Sequence, residues 1–338
     1  MPRLSHTFDI TAVDREVVER IVAALHEVAR SCRFDGRGWL LTPDAQAQAR
    51  LEQRADELGL LDGEEARRLR EEQRRAAEDL REGDADTPAE ADELAVAASQ
   101  PALQLQRGRH LAPRSHYLIA ELSPEGVPLD PADDEEKGWS GTGLTLVSWD
   151  EAGTTSAEFA MPDTVGTQED PVTWGTVTHD APAGLLTWKA RVRLPGRGAW
   201  LRSAEGTLEV DTGAWYEAAA RGGDTPPARV RATHSLAEVT AWLSPSVSAD
   251  GRWAVEAVLD VRGRGVFRPV VAAAFWAFTA SFRREDRRKA RQGDGEPTTR
   301  ELLDRTARDW DRVARNAPRI PELLHEAARA MAEAPDRD

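Results

Sequence analysis

Leu186, Trp188, Ala190, Val192 and Leu194 alternate with Thr187, Lys189, Arg191 and Arg193. A period of two with one apolar and one cationic side describes a strand with one covered face and one wet face. That is the signature of an antiparallel sheet. The pattern recurs along the chain. Strand-like runs at 116–122, 144–149, 157–161 and 172–179 precede this one, and runs at 200–211, 228–243 and 253–261 follow it. The 228–243 run is long enough for a bent or bulged strand. No helical pattern between the runs is long enough for parallel crossovers, apart from a helical turn expected over 215–221.

The chain begins with the same alternation. Leu4, His6, Phe8 and Ile10 interleave with Ser5, Thr7 and Asp9, predicting a half-buried strand. Thr11 or Asp14 then caps a helix whose apolar face carries Val17, Val18, Ile21, Val22, Leu25 and Val28. The turn-rich stretch RFDGRGWLLTPDAQ follows, with a short strand at 39–41, and Thr42-Pro43-Asp44 opens another helix. Residues 45–81 are helical with a break at 59–63, and their apolar stripe is thin. This describes a solvated hairpin, or a face for a protein partner. Residues 83–93 read as an acidic linker, a short helix is expected over 93–99, and 130–137 (DPADDEEK) is a second acidic loop with no calcium-loop spacing.

After the last strand comes GRGVFRPVVAAAFWAFTASFRREDRR, residues 263–288. Pro269 suits a helix start. Val271, Phe275, Phe278 and Phe282 form a bulky side, and arginines mark the return to solvent. A further amphipathic helix carries Leu302, Leu303, Ala307, Trp310 and Val313, is interrupted at Pro318 and Pro321, and resumes over 323–331, after which the terminus frays.

The order is strand, helix, helical insertion, antiparallel strands, then a long helix bearing Phe275, Trp276 and Phe278. It resembles the helix-grip fold of the START/polyketide-cyclase-like (SRPBCC) superfamily, most closely in WAVEAVLDVRGRGVFRPVVAAAFWAF, residues 253–278. The resemblance covers the start of the chain and roughly 141–291. It implies an α+β fold in which an antiparallel sheet wraps on a long C-terminal helix around an apolar cavity. The division that follows is 1–32 as the first strand and helix of the α+β domain, 33–114 as a helical insertion with its acidic linker, 115–292 as sheet and gripped helix, and 293–338 as a helical tail. Another α+β fold, or a β-sandwich or barrel with helical appendages, also fits the pattern.

Chemistry is harder to find. The formal net charge of −15 argues against a general nucleic-acid partner. The single cysteine, Cys32, forms no intrachain disulfide and has no evident base beside it. No run of about 20 apolar residues would span a bilayer, and MPRLSHTFDITAVDRE has no apolar leader region, so the cytoplasm is the expected location. No metal-ligating, nucleophilic or phosphate-binding motif occurs, and no cofactor is expected. His234, on the apolar side of its strand, is the one weak candidate acid or base, and a core or rim histidine with a single hydrogen bond is the favoured reading. Trp174, Trp188 and Trp253 fall on faces read as inward. Together with His234, Phe275, Trp276 and Phe278 they are the candidate ligand-binding residues, although core packing also accounts for buried indoles. The expected function is non-catalytic binding of a hydrophobic small molecule between sheet and helix. The alternatives are a structural or regulatory protein that docks a partner through 45–81, and a cyclase- or hydratase-like enzyme.

Overall fold

A computed structural model describes residues 3–60, 63–82, 98–122, 142–161, 173–193, 203–264 and 299–336. The protein is mixed α/β, with a large antiparallel sheet of 11 strands and a C-terminal helix. The strands are β1 (Arg3–Ile10), β2 (Gln100–Arg107), β3 (His116–Leu122), β4 (Thr142–Ser148), β5 (Thr154–Met161), β6 (Thr173–Asp180), β7 (Leu185–Arg193), β8 (Ser203–Asp211), β9 (Ala228–His234), β10 (Ala237–Val247) and β11 (Trp253–Gly263). Their spatial order is β1-β11-β10-β9-β8-β7-β6-β5-β4-β3-β2. Each neighbour but one is the next strand in sequence. The exception is β1, which closes on β11 in an antiparallel ladder from Arg3↔Asp260 to Ile10↔Trp253. The helices are α1 (Arg15–Ser31), α2 (Ala45–Glu57), α3 (Gly63–Glu82), α4 (Thr212–Arg221), α5 (Thr299–Asn316) and α6 (Ile320–Ala332). Among the described residues, no helix is long and apolar enough to cross a membrane.

The chain divides into two compact units. One comprises Met1–Val18, Asp150–Ser156 and Val172–Arg315, and the other Glu19–Trp149, Ala157–Pro171 and Asn316–Asp338. Each unit therefore joins segments far apart in sequence, unlike a division into consecutive blocks.

In the first unit the 228–243 run is two strands and not one bent strand. Ser235 and Leu236 turn the chain so that Glu238 pairs with Thr233. The turn has no glycine, proline or asparagine, and neither of its residues has positive φ, so it lacks the signals of the favoured two-residue turns. It is held instead by the Leu236 N–H, which donates to His234 Nδ1 at 3.3 Å, and by the Leu236 carbonyl, which accepts from Arg264 N at 2.8 Å. The helical turn expected near 215 is α4. Asp211 caps it, its carboxylate accepting from Ala214 N at 2.7 Å, and Gly222 ends it at φ 72°.

In the second unit, the stretch assigned above to a helical insertion contains a strand, β2. Its Leu103 and Leu105 alternate with Gln104, but Pro101 counts against a strand unless it lies at an edge, and β2 is the edge strand. The 45–81 pattern resolves into α2 and α3. Asp44 caps α2, accepting from Ala47 N at 2.7 Å. The described side chains of α3 are mostly exposed, with Ala76 buried. The C-terminal residues through Asp336 are tied down and do not fray. Arg33 donates to the Ala334 carbonyl at 2.9 Å and to Asp336 at 2.8 Å, and Ala334 is buried.

The connection from β2 to β3 carries two non-glycine residues in the left-handed region, Leu111 (φ 58°) and Arg114 (φ 69°). Hydrogen bonds hold both. Leu111 N donates to the Tyr117 hydroxyl at 2.8 Å, and Arg114 N donates to the Leu146 carbonyl at 2.7 Å. His110 Nε2 meets the Ala29 carbonyl at 2.7 Å, so in the neutral ring that nitrogen carries the proton. Its Nδ1 is then the acceptor for the Tyr117 hydroxyl at 3.0 Å. Burial pushes the Tyr117 phenol upward against the lowering effect of the Leu111 and Ser115 hydrogen bonds, and burial likewise raises the Cys32 thiol. Both groups therefore stay protonated at neutral pH, in keeping with a packing role.

Candidate functional site

The cross-strand register of the first unit sorts its side chains by chemistry. Val177, Trp188, Leu208, Val230, Ala241, Leu259 and Leu4 stand successively opposite one another across β6, β7, β8, β9, β10, β11 and β1. One residue along, the row on the other face is Thr176, Lys189, Thr207, Arg231, Thr240, Asp260 and Arg3. The alternation seen in 186–194 thus extends over seven strands as one apolar face and one polar face. The polar face is laced with ion pairs: Arg191 with Glu205, Arg231 with Glu238 at 2.8 Å, and Arg262 with Asp260 at 2.7 Å.

At the β1–β11–β10 end, the apolar face is the floor of a cavity of about 370 Å³. Phe8, Ile10, Leu243, Trp253 and Val255, with Val210 of β8, form this floor. Val13, in the connection from β1, and Val18, in the first turn of α1, line it as well. From α4 come Thr212, Trp215 and Tyr216, and from α5 Thr306, Ala307 and Trp310. A volume in this range is typical of small-molecule sites, roughly 300–1,000 Å³. Trp253 is the centre of the aromatic wall. Trp215 and Tyr216 each meet it edge-on, with centroids 5.7 Å away and planes at 70°.

Helix α5 reaches the cavity because one turn of it is latched to the end of β1. The Trp310 indole N–H donates to the Thr11 carbonyl at 2.8 Å, and the Thr11 N–H donates to Asp311 at 2.6 Å. Arg252, in the β10–β11 turn, donates to the other Asp311 oxygen at 2.7 Å and to the Asp9 carbonyl at 3.0 Å. Burial works against the Asp311 charge, but the Arg252 and Thr11 hydrogen bonds outweigh it and hold the carboxyl below the ordinary range. The Asp311 hydrogen bond also raises the Arg252 guanidinium, which stays charged throughout.

The residues read from sequence as ligand-binding do not all meet here. Trp253 lines the cavity and is buried. Trp188 lies on the apolar face, outside the cavity lining, and is 47% exposed. Trp174 lies on the polar face, opposite Arg191, whose guanidinium sits 5.8 Å from its ring. The reading that put it inward with Trp188 fails on register. Trp174 and Val177 are three residues apart, so in β6 they point to opposite faces, and Val177 is the partner of Trp188. His234 stands on the apolar side, but its Nδ1 is engaged by the turn that follows and it is not among the cavity residues. Phe275, Trp276 and Phe278 lie outside the described residues. Sequence reasoning missed Phe8, Trp215 and Tyr216 as site residues and took Trp310 only as part of a helix stripe. Among the described residues, no cluster of three or more histidine, cysteine, aspartate or glutamate side chains is arranged to hold a metal ion.

No protein family, curated protein or solved structure matches the chain.

Proposed function

We propose that the protein binds a hydrophobic small molecule, without transforming it, in the cavity between the apolar sheet face, α4 and α5. The observation that carries this reading is an apolar space of about 370 Å³ walled by Phe8, Trp215, Tyr216, Trp253 and Trp310. Among the described lining residues there is no carboxylate, imidazole or amine. The cyclase- or hydratase-like alternative therefore has no acid–base pair on this wall to build on. Docking of a partner through α2 and α3 has weaker support, from the exposed charged side chains of α3. The helix-grip arrangement is the finer part of the proposal. It rests on the sequence expectation of a long gripped helix bearing Phe275, Trp276 and Phe278.

Titration with N-phenyl-1-naphthylamine, a neutral probe that brightens in apolar surroundings, tests the cavity reading. Saturable binding is expected in the wild type. Ala307→Phe, which projects a ring into the space, is expected to weaken it at least about tenfold, roughly 1.4 kcal/mol, while leaving thermal unfolding at or above the wild-type temperature. Unsaturable probe uptake, or binding unchanged by Ala307→Phe, would count against the site.

A further inference from the structure

Three polar side chains of the cavity wall are spent on the protein's own backbone. Trp310 gives its indole N–H to the Thr11 carbonyl at 2.8 Å. Tyr216 gives its hydroxyl proton to the Val13 carbonyl at 2.9 Å, and Thr212 gives its own to the Gly184 carbonyl at 2.9 Å. These side chains face the space with their hydrocarbon bodies. Trp215 differs, because its Nε1 is buried with no hydrogen-bond partner. Two charged side chains adjacent to wall residues are also committed. Arg252, next to Trp253, is held by Asp311 and the Asp9 carbonyl, and Asp311, next to Trp310, is held by Arg252 and Thr11 N.

Resting on the small-molecule reading above, we infer that the ligand is uncharged and ring-bearing, with no polar group stronger than a lone hydroxyl, carbonyl or ether oxygen. A carboxylate or ammonium placed among these residues would leave water and find no counter-charge, which is the costliest kind of burial. Five aromatic side chains instead offer edges and faces, which favour a flat ring over a flexible chain. The Trp215 N–H is itself shielded from the space and presents it with no exposed donor.

Displacement of bound N-phenyl-1-naphthylamine from the full chain tests this with three ligands of one skeleton. At pH 7, 2-naphthalenemethanol is neutral, 2-naphthoate is an anion and 2-naphthylmethylamine is a cation. The neutral alcohol is expected to displace the probe at least about 30-fold more tightly than either charged ligand. Thr306→Lys, which places a cation at the exposed α5 side of the cavity, is expected to recover naphthoate binding by about tenfold without strengthening the amine. Displacement by all three ligands within about threefold would overturn the inference and leave the cavity reading standing. Failure of the wild type to bind the probe saturably would overturn both.

Discussion

Replacing Trp253 with alanine is expected to be among the most destabilising single changes in the first unit, at about 3 kcal/mol. Burial and partners set the size. Trp253 is 6% exposed, pairs with Ile10 on β1 and Val247 on β10, and meets Trp215 and Tyr216 edge-on. Large-to-small changes at buried aromatics cost roughly 3–5 kcal/mol. The lower end applies because one side of the indole already faces the cavity and has fewer atoms to lose. Trp253→Phe keeps a ring against α4 and is expected to lose less than half as much. Urea unfolding of the two variants checks the ordering. Equal losses would mean that the residue matters for its strand position and not for the aromatic wall.

The second large effect concerns Asp311, which fastens α5 beside the cavity. Asp311→Asn removes the charge that Arg252 and Thr11 N recognise. The expected loss at pH 7 is roughly 1–2 kcal/mol, the lower part of the range for hydrogen bonds to charged groups. Arg252 is about a third exposed, 36%, so solvent and salt weaken the pair. The pH dependence has a definite sign. The folded-state carboxyl is held below its ordinary value, so its contribution is complete above the unfolded carboxylate value, about 3.9. It is lost as pH falls through the lower folded value. Wild type and Asp311→Asn should therefore differ at pH 7 and converge as pH falls through the lowered folded-state value. Chemical unfolding across an acid pH series measures this. A gap that widens on acidification would contradict the latch.

Much of the sheet was legible because its faces differ so sharply. The alternations in 4–10, 186–194 and 253–261 and the strand-like run 116–122 match β1, β7, β11 and β3 to within a residue or two at each end. Two features hid other strands. The β9–β10 hairpin turns on Ser235 and Leu236, without the glycine or asparagine of the favoured two-residue turns, and uses a histidine nitrogen as its clasp. Pro101 disguised β2, because sequence alone does not say which strand lies at an edge. The site was less legible than the sheet. Trp253 was placed correctly on the covered face, but a cavity is made by residues that only register and helix docking bring together. Phe8 meets Val255 through the β1–β11 ladder, 247 positions away in sequence by numbering (255 less 8). Trp310 arrives through one indole hydrogen bond to Thr11, which no periodicity announces. Trp174 shows the converse. A tryptophan in a strand carries no label for its face until its partner, here Arg191, is known.

The central claim is that the space walled by Phe8, Trp215, Trp253 and Trp310 is a ligand site. The most direct measurement is a crystal of the full chain grown with 6-bromo-2-naphthalenemethanol, with data collected at the bromine edge. The account predicts one strong anomalous peak inside that wall, with the naphthalene ring against Trp253. A space filled by the protein's own side chains, with bromine absent from it or found only over the Trp188 side of the sheet, would contradict it.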